Sequence, residues 1–507
     1  MKAHLLYRDR DFDLEQKLPA NEPALTQDLE LNTLVTAMAA GDEFLFQVAK
    51  HAVVSGLQND WSTVLYRQAV LKDSLRNYAV VKSIYDLAVE TIENKRRQWF
   101  SIFGIYPGSI LSGAVDLLQM FVDMLGKLRL VADEHGAEFE SEGFKVFFAM
   151  LEAELADDYF ARIREHLKEL RFRDGVLVSA ELGQGNQGTG YVLRQSTGPK
   201  PGWYRRIFSR RPPGFTFHIA DRDDAGARAL GELHDRGINL VANAAAQSAD
   251  HLLSFFVMLR AELAFYLGCV NLHRELGRRG APVCFPIPAL PGARSHTCKA
   301  LRDVSLVLSL GRSVVANDLD ADGKNLVVIT GANQGGKSTF LRGVGLAQVM
   351  MQCGMFVAAE SFQADVCRGL FTHYKREEDA TMKSGKLDEE LARMSEIVDA
   401  LEPDSLVLFN ESFSATNERE GSEIARQIVC ALLESRIKVF FVTHQYEFAH
   451  GFFAQKRDEA VFLRAERQAD GQRTFKLPPG EPLQTSFGAD VYREVFGDAT
   501  EKAEQND

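Results

Sequence analysis

The stretch Asn325-Leu-Val-Val-Ile-Thr330, followed by Gly331-Ala-Asn-Gln-Gly-Gly-Lys-Ser338, decides the fold of the C-terminal part of this 507-residue chain. The apolar run predicts a buried strand, and the pattern of residues 339–351 predicts a helix directly after the loop. The loop fits the pattern G-x-x-x-x-G-K-[ST]. Its glycines allow backbone N–H groups to curve around phosphate oxygens, and the helix directs its positive end towards them. The sequence therefore predicts a loop that binds nucleotide phosphates.

The residues of this loop have separate expected roles. We expect Lys337 to neutralise phosphate charge and Ser338 to bind Mg²⁺, with ATP as the nucleotide. The predicted ATP contacts are Gly331, Ala332, Asn333, Gln334, Gly335, Gly336, Lys337, Ser338 and Thr339.

Two later apolar runs also end in polar residues. Residues 405–409 are followed by Asn410 and Glu411, and residues 438–443 are followed by His444. We expect Glu411 to act as a general base on water, and His444 to sense the terminal phosphate or orient that water. Asn410 offers an oxygen to the Mg²⁺ shell without a negative charge, so we expect weak metal affinity. Taken singly, an ordinary strand end and a structural histidine are the alternatives. The candidate catalytic residues are Lys337, Glu411 and His444.

The remaining pattern predicts an α + α/β multidomain chain. Apolar residues recur at three- and four-residue spacing over residues 24–180 and again over 223–276, which predicts helices. Beyond about residue 301, strands alternate with helices, which predicts a mostly parallel sheet covered on both faces. Residues beyond about 465 are polar and predict a peripheral end. We predict a helical domain at 1–280 with a β-containing insertion at about 176–220, an α/β nucleotide domain at 281–480, and a peripheral end at 481–507.

Composition limits the protein class. The net charge of −12 argues against a chain coated in positive charge, although a local basic patch remains possible. None of the six cysteines forms a Cys-x-x-Cys pair, which argues against a disulfide framework or a zinc ribbon and favours a reducing compartment. The N-terminus has no apolar signal segment, and no apolar run reaches about 18 residues. We therefore expect a cytoplasmic protein without a membrane span.

A basic, aromatic stretch lies inside the predicted insertion. It has two possible meanings: a surface that contacts nucleic-acid phosphates and stacks on bases, or a solvated loop with a few aromatic anchors. The candidate nucleic-acid contacts are Arg194, Lys200, Arg205, Arg206, Arg210 and Arg211.

Three motifs resemble those of the MutS family of DNA mismatch-repair ATPases. The loop Thr330-Gly-Ala-Asn-Gln-Gly-Gly-Lys-Ser-Thr339 is similar to the family's T-G-P-N-M-G-G-K-S-T. Asn410-Glu411-Ser-Phe-Ser-Ala-Thr-Asn417, with Glu420-Gly421 after it, resembles D-E-I-G-R-G-T-S-T and its D-G pair. Thr443-His-Gln445 matches T-H-Y or T-H-F in its first two residues. Residues 64–71 and 259–266 look like the family's core domain and its returning lever helix.

This resemblance implies a helical core and lever domain, followed by a P-loop ATPase domain of ABC-like fold. It also implies a homodimer that sandwiches ATP between two ATPase domains. Ser384-Gly385 stands where the family has S-G-x-S-x-F, which makes Ser384 the candidate contact to the partner's nucleotide. Val314-Val-Ala-Asn317 stands where the family places an aromatic that stacks on adenine, so that stacking is expected to be lost. A Phe-x-Glu wedge is missing from the N-terminal third. We therefore expect a truncated member without the mismatch-recognition and connector domains.

Two function hypotheses follow. The first is an ATP-dependent DNA-binding protein of the MutS type, which hydrolyses ATP to switch a dimeric clamp on duplex, mismatched or branched DNA in repair or recombination. The second, which the neutral Asn410 keeps open, is a nucleotide-gated clamp for structured RNA or a protein partner with little or no hydrolysis. The ATPase subunit of a membrane transporter is disfavoured because no L-S-G-G-Q signature is present.

Overall fold

The computed structural model describes residues 1–99, 106–173, 175–194, 219–220, 222–311, 314–376, 385–468 and 471–484. The chain divides into two compact units, each with its own contacts. The first comprises Met1–Ala3, Lys82–Glu138 and Lys145–Arg260. The second comprises His4–Val81, Phe139–Phe144 and Ala261–Asp507. The fold is mixed, with helical and α/β parts, as the sequence predicts.

Helices dominate the N-terminal half, as the apolar spacing predicts. One of them shows its start signal clearly, because the carboxylate of Asp60 accepts a hydrogen bond from the backbone N–H of Thr63 at 2.8 Å. In chain order the helices are α1 Glu22–Asp28, α2 Leu31–Ala39, α3 Glu43–Ser55, α4 Trp61–Arg76, α5 Tyr78–Trp99, α6 Pro107–His135, α7 Glu142–Glu154, α8 Asp157–Glu169, α9 Asp224–Arg278, α10 Val304–Leu310, α11 Lys337–Gln352, α12 Lys386–Ala400, α13 Glu418–Glu434 and α14 Tyr446–Ala454.

The strands of the described residues form three sheets. β1 and β2 make a small antiparallel hairpin in the first unit, at the position predicted for the insertion. The others lie in the second unit. In chain order the strands are β1 Val178–Leu182, β2 Gly188–Leu193, β3 Ile287–Ala289, β4 His296–Leu301, β5 Asn317–Asp320, β6 Leu326–Gly331, β7 Ser361–Asp365, β8 Leu370–Tyr374, β9 Leu406–Asn410, β10 Lys438–Val442 and β11 Ala460–Ala465.

A five-stranded parallel sheet in the order β11-β6-β10-β9-β8 positions the functional candidates. The register pairs Val442 with Asn410, Tyr374 with Asn410, and Ala465 with Gly331. The carboxyl ends of these strands therefore meet at one edge, where ligands bind in open α/β sheets. The prediction of a parallel sheet is confirmed. A second sheet of mixed direction, β3-β7-β4-β5, lies in the same unit.

The N-terminal segment before α1 is held by buried side chains of the second unit. Leu5 and Leu6 are fully buried. Glu262 accepts a hydrogen bond from the N–H of Leu5 at 2.6 Å, and the hydroxyl of Tyr266 donates to the Leu5 carbonyl at 2.6 Å. The guanidinium of Arg67 donates through Nε to the Leu6 carbonyl at 3.0 Å. We call Arg67, Glu262 and Tyr266 the anchor cluster, because they hold the segment by its backbone.

Within the described part of the chain, two helical stretches are long and apolar enough to cross a membrane when judged by length and composition alone: Pro107–Glu138 and Asp224–Arg278. The sequence predicts no such span, because it has no uninterrupted apolar run of about 18 residues, whereas these helices carry a few charged residues among their apolar ones. Their most apolar windows are 56% and 72% buried inside the fold. A buried core helix passes the same test of length and composition.

Candidate functional site

The glycine-rich loop joins β6 to α11 at the carboxyl edge of the parallel sheet. Gly331 has φ 107°, and a Cβ there would lie 2.7 Å from the backbone nitrogen of Ala465. A Cβ at Gly335 would lie 2.6 Å from the Ala465 Cβ. Gly336 has φ 87° and stands directly before the first helical residue. The loop therefore needs glycine for backbone conformation at two positions and for close approach to β11 at two.

Lys337 begins α11 and lies beneath the loop, with only 5% of its surface exposed. Its ammonium group donates to the carbonyls of Gly331 at 3.1 Å and Ala332 at 3.0 Å, and its Nζ lies 3.4 Å from His444 Nε2. Burial lowers the pKa of Lys337 to about 8, against an opposing effect of the Glu411 carboxylate. The group therefore stays largely protonated at neutral pH, as a cation at a helix N-terminus.

The two predicted metal ligands are in direct contact. The Ser338 hydroxyl donates to the side-chain oxygen of Asn410 at 2.8 Å, because α11 starts beside the end of β9. Both ligand atoms are oxygens, the kind that Mg²⁺ prefers, but neither carries a negative charge. Within the described ranges, no group of three or more His, Cys, Asp or Glu side chains could hold a metal ion. The pair therefore fits Mg²⁺ in ligand type, with weak electrostatic attraction.

Glu411 and His444 lie side by side at the same edge. Glu411 Oε1 is 3.1 Å from His444 Nε2, so the imidazole nitrogen lies between a carboxylate and the Lys337 ammonium. Glu411 has φ 55°, a strained conformation for this residue type, and its N–H donates to the Val442 carbonyl. The β9–β10 pairing thus aims the carboxylate at the next strand end. All three candidate catalytic side chains meet here.

Burial and the neighbouring charges shift the pKa values of Glu411 and His444. Burial raises the pKa of Glu411 to about 7, against the opposing field of Lys337. Burial, reinforced by the positive charges of Lys337 and Lys375, lowers the pKa of His444 to about 4. The imidazole is therefore neutral near pH 7, and the carboxyl group exchanges its proton in the physiological range. A group with such a pKa suits general acid–base chemistry.

These side chains open into a cavity of about 690 Å³, large enough for a nucleotide. Residues 333–339 of the loop line it together with Glu411 and His444. Another part of its wall is apolar and includes Val314 and Val315, from the stretch in which the family's aromatic is missing. The cavity thus combines a polar end at the loop with an apolar region.

Phe475 and Arg473 also belong to this site, although the sequence analysis did not select them. Phe475 lines the cavity and is 46% exposed. Its carbonyl accepts a hydrogen bond from Asn317 at 3.0 Å, which fixes it beside the loop. Arg473 donates through Nε to the carbonyl of Asn333 at 3.1 Å. Residues 471–480, whose polar composition is typical of a peripheral end but which the predicted domain of 281–480 includes, thus contribute to the site. No local sequence signal could have shown a contact across 140 residues.

The segment after Glu411 is fixed by a close contact at Gly421. A Cβ there would lie 2.3 Å from the Phe413 carbonyl oxygen and 2.7 Å from Gln445 Nε2. Gln445 Nε2 itself donates to the Phe413 carbonyl at 3.0 Å. This glycine, the position that matches the family's D-G pair, lets α13 approach the Glu411 and His444 strand ends.

The predicted nucleic-acid residues are described only in part. Arg194 is exposed, follows β2 and donates through Nε to the Ser179 hydroxyl at 2.9 Å. The trans-contact candidate Ser384 lies outside the described residues. The other basic candidates lie outside them as well: Lys200, Arg205, Arg206, Arg210 and Arg211.

Comparison with known proteins agrees with this site. A sequence model of the MutS2 N-terminal domain matches residues 59–279, and a model of MutS domain V matches residues 327–497. The chain belongs to the MutS family. The second match covers the loop, Asn410, Glu411 and His444, so the geometry described above lies inside the region that identifies the family.

Individual MutS relatives are similar over shorter stretches. A protein named DNA mismatch repair protein MutS, from Porphyromonas gingivalis, is 31% identical over 236 residues, which cover 45% of this chain and 26% of that protein. A Leptospira interrogans protein of the same name is 31% identical over 189 residues, 34% of this chain and 22% of that protein. The human MutS protein homolog 4 is 30% identical over 188 residues, 36% of this chain and 20% of that protein. The chain thus spans about a quarter of the length of the curated relatives that it matches.

Proposed function

We propose that this chain binds ATP in the cavity beside the glycine-rich loop and hydrolyses it. One observation carries the proposal: at one edge of the sheet, His444 Nε2 lies 3.4 Å from the Lys337 ammonium and 3.1 Å from the Glu411 carboxylate. A buried cation for phosphate, a neutral imidazole and a carboxyl group that titrates near neutral pH are the groups needed to position phosphate and water. The proposed fold of this part is a P-loop ATPase domain of ABC-like type.

Each part of the site has a proposed role. The backbone of residues 331–336 and the start of α11 surround the phosphates, and Lys337 neutralises their charge. Ser338 and Asn410 would hold Mg²⁺, which supplies charge neutralisation of the phosphates when bound. Glu411 accepts a proton from the attacking water, and His444 holds the carboxylate in place.

The nucleotide base has a candidate partner in Phe475. Phe475 is half-exposed and lines the cavity together with Val314 and Val315, where a planar base would contact its ring. We propose that Phe475 supplies the stacking surface that residues 314–317 lack. Base–aromatic stacking contributes about 1–3 kcal/mol in nucleic-acid complexes.

We further propose that ATP governs binding to duplex, mismatched or branched DNA, in repair or recombination. The support is family membership and the relatives' names, of which two contain "DNA mismatch repair". The helical part would act as core and lever, with Arg194 and the basic candidates up to Arg211 on DNA phosphates. Two copies would pair through their ATPase domains, with Ser384 reaching the partner's nucleotide. The proposed location is the cytoplasm.

A second function is favoured by Asn410. Without an acidic metal ligand, hydrolysis could be slow enough that nucleotide binding alone acts as the switch. The chain would then be a nucleotide-gated clamp for structured RNA or a protein partner.

One assay separates these functions. ATP turnover and gel retardation are measured with duplex, mismatched and branched DNA and with structured RNA. The first function predicts DNA-stimulated turnover that Glu411→Ala abolishes, while Glu434→Ala, an exposed change at the end of α13, leaves it intact. Retardation of RNA alone, with no DNA effect, would support the second function. A variant without the charges of Arg205, Arg206, Arg210 and Arg211 tests the basic loop through the salt dependence of binding.

A further inference from the structure

The cations and acids around the proposed nucleotide site are unequal in number. Lys337 lies under the loop, and Arg473 contacts it through the Asn333 carbonyl. Lys375 follows β8, and its positive charge acts on both Glu411 and His444. Among the described residues of this group, these three cations therefore stand against Glu411 alone, because Asp303, the other carboxylate that lines the cavity, is already paired with Arg342 at 2.6 Å. Phosphate groups carry negative charge, so the surplus is complementary to them.

The backbone places Lys375 next to the strand end at Asn410. β8 runs parallel to β9 with Tyr374 opposite Asn410, and the N–H of Lys375 donates to the Asn410 carbonyl at 2.9 Å. Its side chain is exposed and does not line the nucleotide cavity, but lines a smaller pocket with Glu390 and Arg393. A lysine side chain is long and flexible enough to turn towards a ligand there.

Neighbouring basic residues on this side are already engaged. Arg376 forms an ion pair with the buried Asp28 at 2.8 Å. Arg393 donates through Nη2 to the Tyr374 carbonyl at 3.0 Å. Within the described part of the chain, the Lys375 ammonium has no hydrogen bond or ion pair, although Glu390 also lies in its field. Among the described residues on this side, Lys375 is therefore a cation that a phosphate could recruit without breaking a hydrogen bond or ion pair.

The two predicted metal ligands, in contrast, bring no charge that would attract a cation. Ser338 and Asn410 offer two neutral oxygens that already bond to each other. A divalent cation gains little attraction from neutral donors, and it must displace that hydrogen bond. The site is thus equipped to neutralise phosphate with side chains more than with a metal ion.

We propose that Lys375 contacts the terminal phosphate of the bound nucleoside triphosphate, and that Lys337, Lys375 and Arg473 make its binding largely independent of a divalent cation. This inference rests on the proposed nucleotide site. According to this inference, the metal contributes little to nucleotide affinity, and Lys375 makes the site prefer a nucleoside triphosphate to a diphosphate.

The test is a titration of the full chain with a fluorescent, non-hydrolysable ATP analogue, once with Mg²⁺ and once with EDTA. The wild type is expected to lose less than about threefold in affinity without metal. Asn410→Asp is expected to lose more than about tenfold, because a second carboxylate repels phosphates unless a metal neutralises it. Lys375→Ala is expected to weaken the triphosphate by about tenfold while changing ADP affinity by less than about threefold. Lys299→Ala, an exposed lysine paired with Glu360, is the matched control and is expected to change neither.

The outcomes are distinguishable. A wild type that loses more than about tenfold in EDTA, or a Lys375→Ala variant that weakens both nucleotides equally or neither, overturns the inference but leaves the nucleotide site standing. No nucleotide binding in either buffer removes the proposed function itself. Circular dichroism on every variant confirms that the fold is retained.

Discussion

Two clusters of the second unit each contain a glutamate with a pKa raised by burial, but the two glutamates have different surroundings. In the anchor cluster, Glu262 is almost wholly buried, its pKa is raised to about 7 by that burial, and it accepts hydrogen bonds from Leu5 and Phe12. At the sheet edge, Glu411 has a pKa raised to about 7 by burial as well. Its neighbours, however, are Lys337 and His444, and its cavity is open.

The comparison shows that a perturbed pKa does not by itself mark a functional site. Burial is the largest cause of the raised pKa of the carboxyl group in both places. In the anchor cluster the chain's own backbone N–H groups, those of Leu5 and Phe12, donate to the carboxyl group. At the sheet edge the charged groups face a cavity beside a glycine-rich loop. The groups that surround the carboxyl group, and not the shift of its pKa, distinguish a structural cluster from a candidate active site.

The largest expected effect is on the chemical step. Glu411→Gln removes the proton acceptor while keeping the side-chain shape, so ATP turnover is expected to fall by about 10²–10⁴. Nucleotide affinity is expected to change by less than about threefold, because the phosphate contacts remain. Single-turnover hydrolysis and equilibrium binding measure the two separately, with Glu434→Gln as control. Unchanged turnover would show that Glu411 is as structural as Glu262.

The next effect concerns stability in the anchor cluster. The folded-state pKa of Glu262, about 7, exceeds its ordinary value of 4.5, so the folded protein holds the proton more tightly. This contribution is fully present below the ordinary pKa and is lost as pH rises towards 7. Over that window the wild type is expected to lose up to about 3 kcal/mol of unfolding free energy relative to Glu262→Gln. Urea unfolding between those pH values tests this, and parallel curves for both proteins would refute it.

A smaller effect is expected on the pH dependence of hydrolysis. Glu411 must be deprotonated to accept a proton, so kcat/KM is expected to rise through its pKa of about 7. Lys337 must be protonated to hold phosphate, so kcat/KM is expected to fall above its pKa of about 8. Nucleotide affinity should show only the fall above about pH 8, because Lys337 binds phosphate whereas Glu411 acts on water. If nucleotide affinity also rises through about pH 7, the group that titrates there is not Glu411 acting as the base.

The smallest effect is expected at Phe475. Phe475→Ala removes the aromatic face in the cavity and is expected to weaken ATP binding by about fivefold, or about 1 kcal/mol. Phe475→Tyr keeps the ring and should restore affinity. Adenosine and inorganic triphosphate are then used separately as competitors of ATP. A stacking role predicts that Phe475→Ala weakens the binding of adenosine but not that of inorganic triphosphate. Equal loss for both would indicate a role in shaping the loop.

Much of the fold could be predicted because its signals are local. The run before Gly331 and the glycines after it predict a strand, a loop and a helix within residues 325–352, and the strand ends at Asn410 and Val442 follow from similar apolar runs. Lys337, Glu411 and His444 meet because parallel strands end at one edge, a rule that sequence order can supply.

Other features depend on contacts that no local pattern carries. Phe475 reaches the cavity because the chain after β11 folds back beside Asn317, 158 residues earlier. The N-terminal residues look like a charged tail, yet Leu5 and Leu6 are fully buried against side chains some 250 residues away in the chain. Lys375 has no motif, and its place beside Asn410 follows only from the register of β8.

One paired measurement tests the comparison most directly: ATP affinity and the free energy of unfolding for Lys337→Met and Tyr266→Phe. Lys337→Met is expected to lower ATP affinity by about a hundredfold without loss of stability, since it removes a buried charge that serves the ligand. Tyr266→Phe is expected to cost about 1–3 kcal/mol of stability with ATP affinity unchanged, because the buried Leu5 carbonyl loses its partner. The account is contradicted if Lys337→Met binds ATP normally, or if both variants lose stability and affinity together.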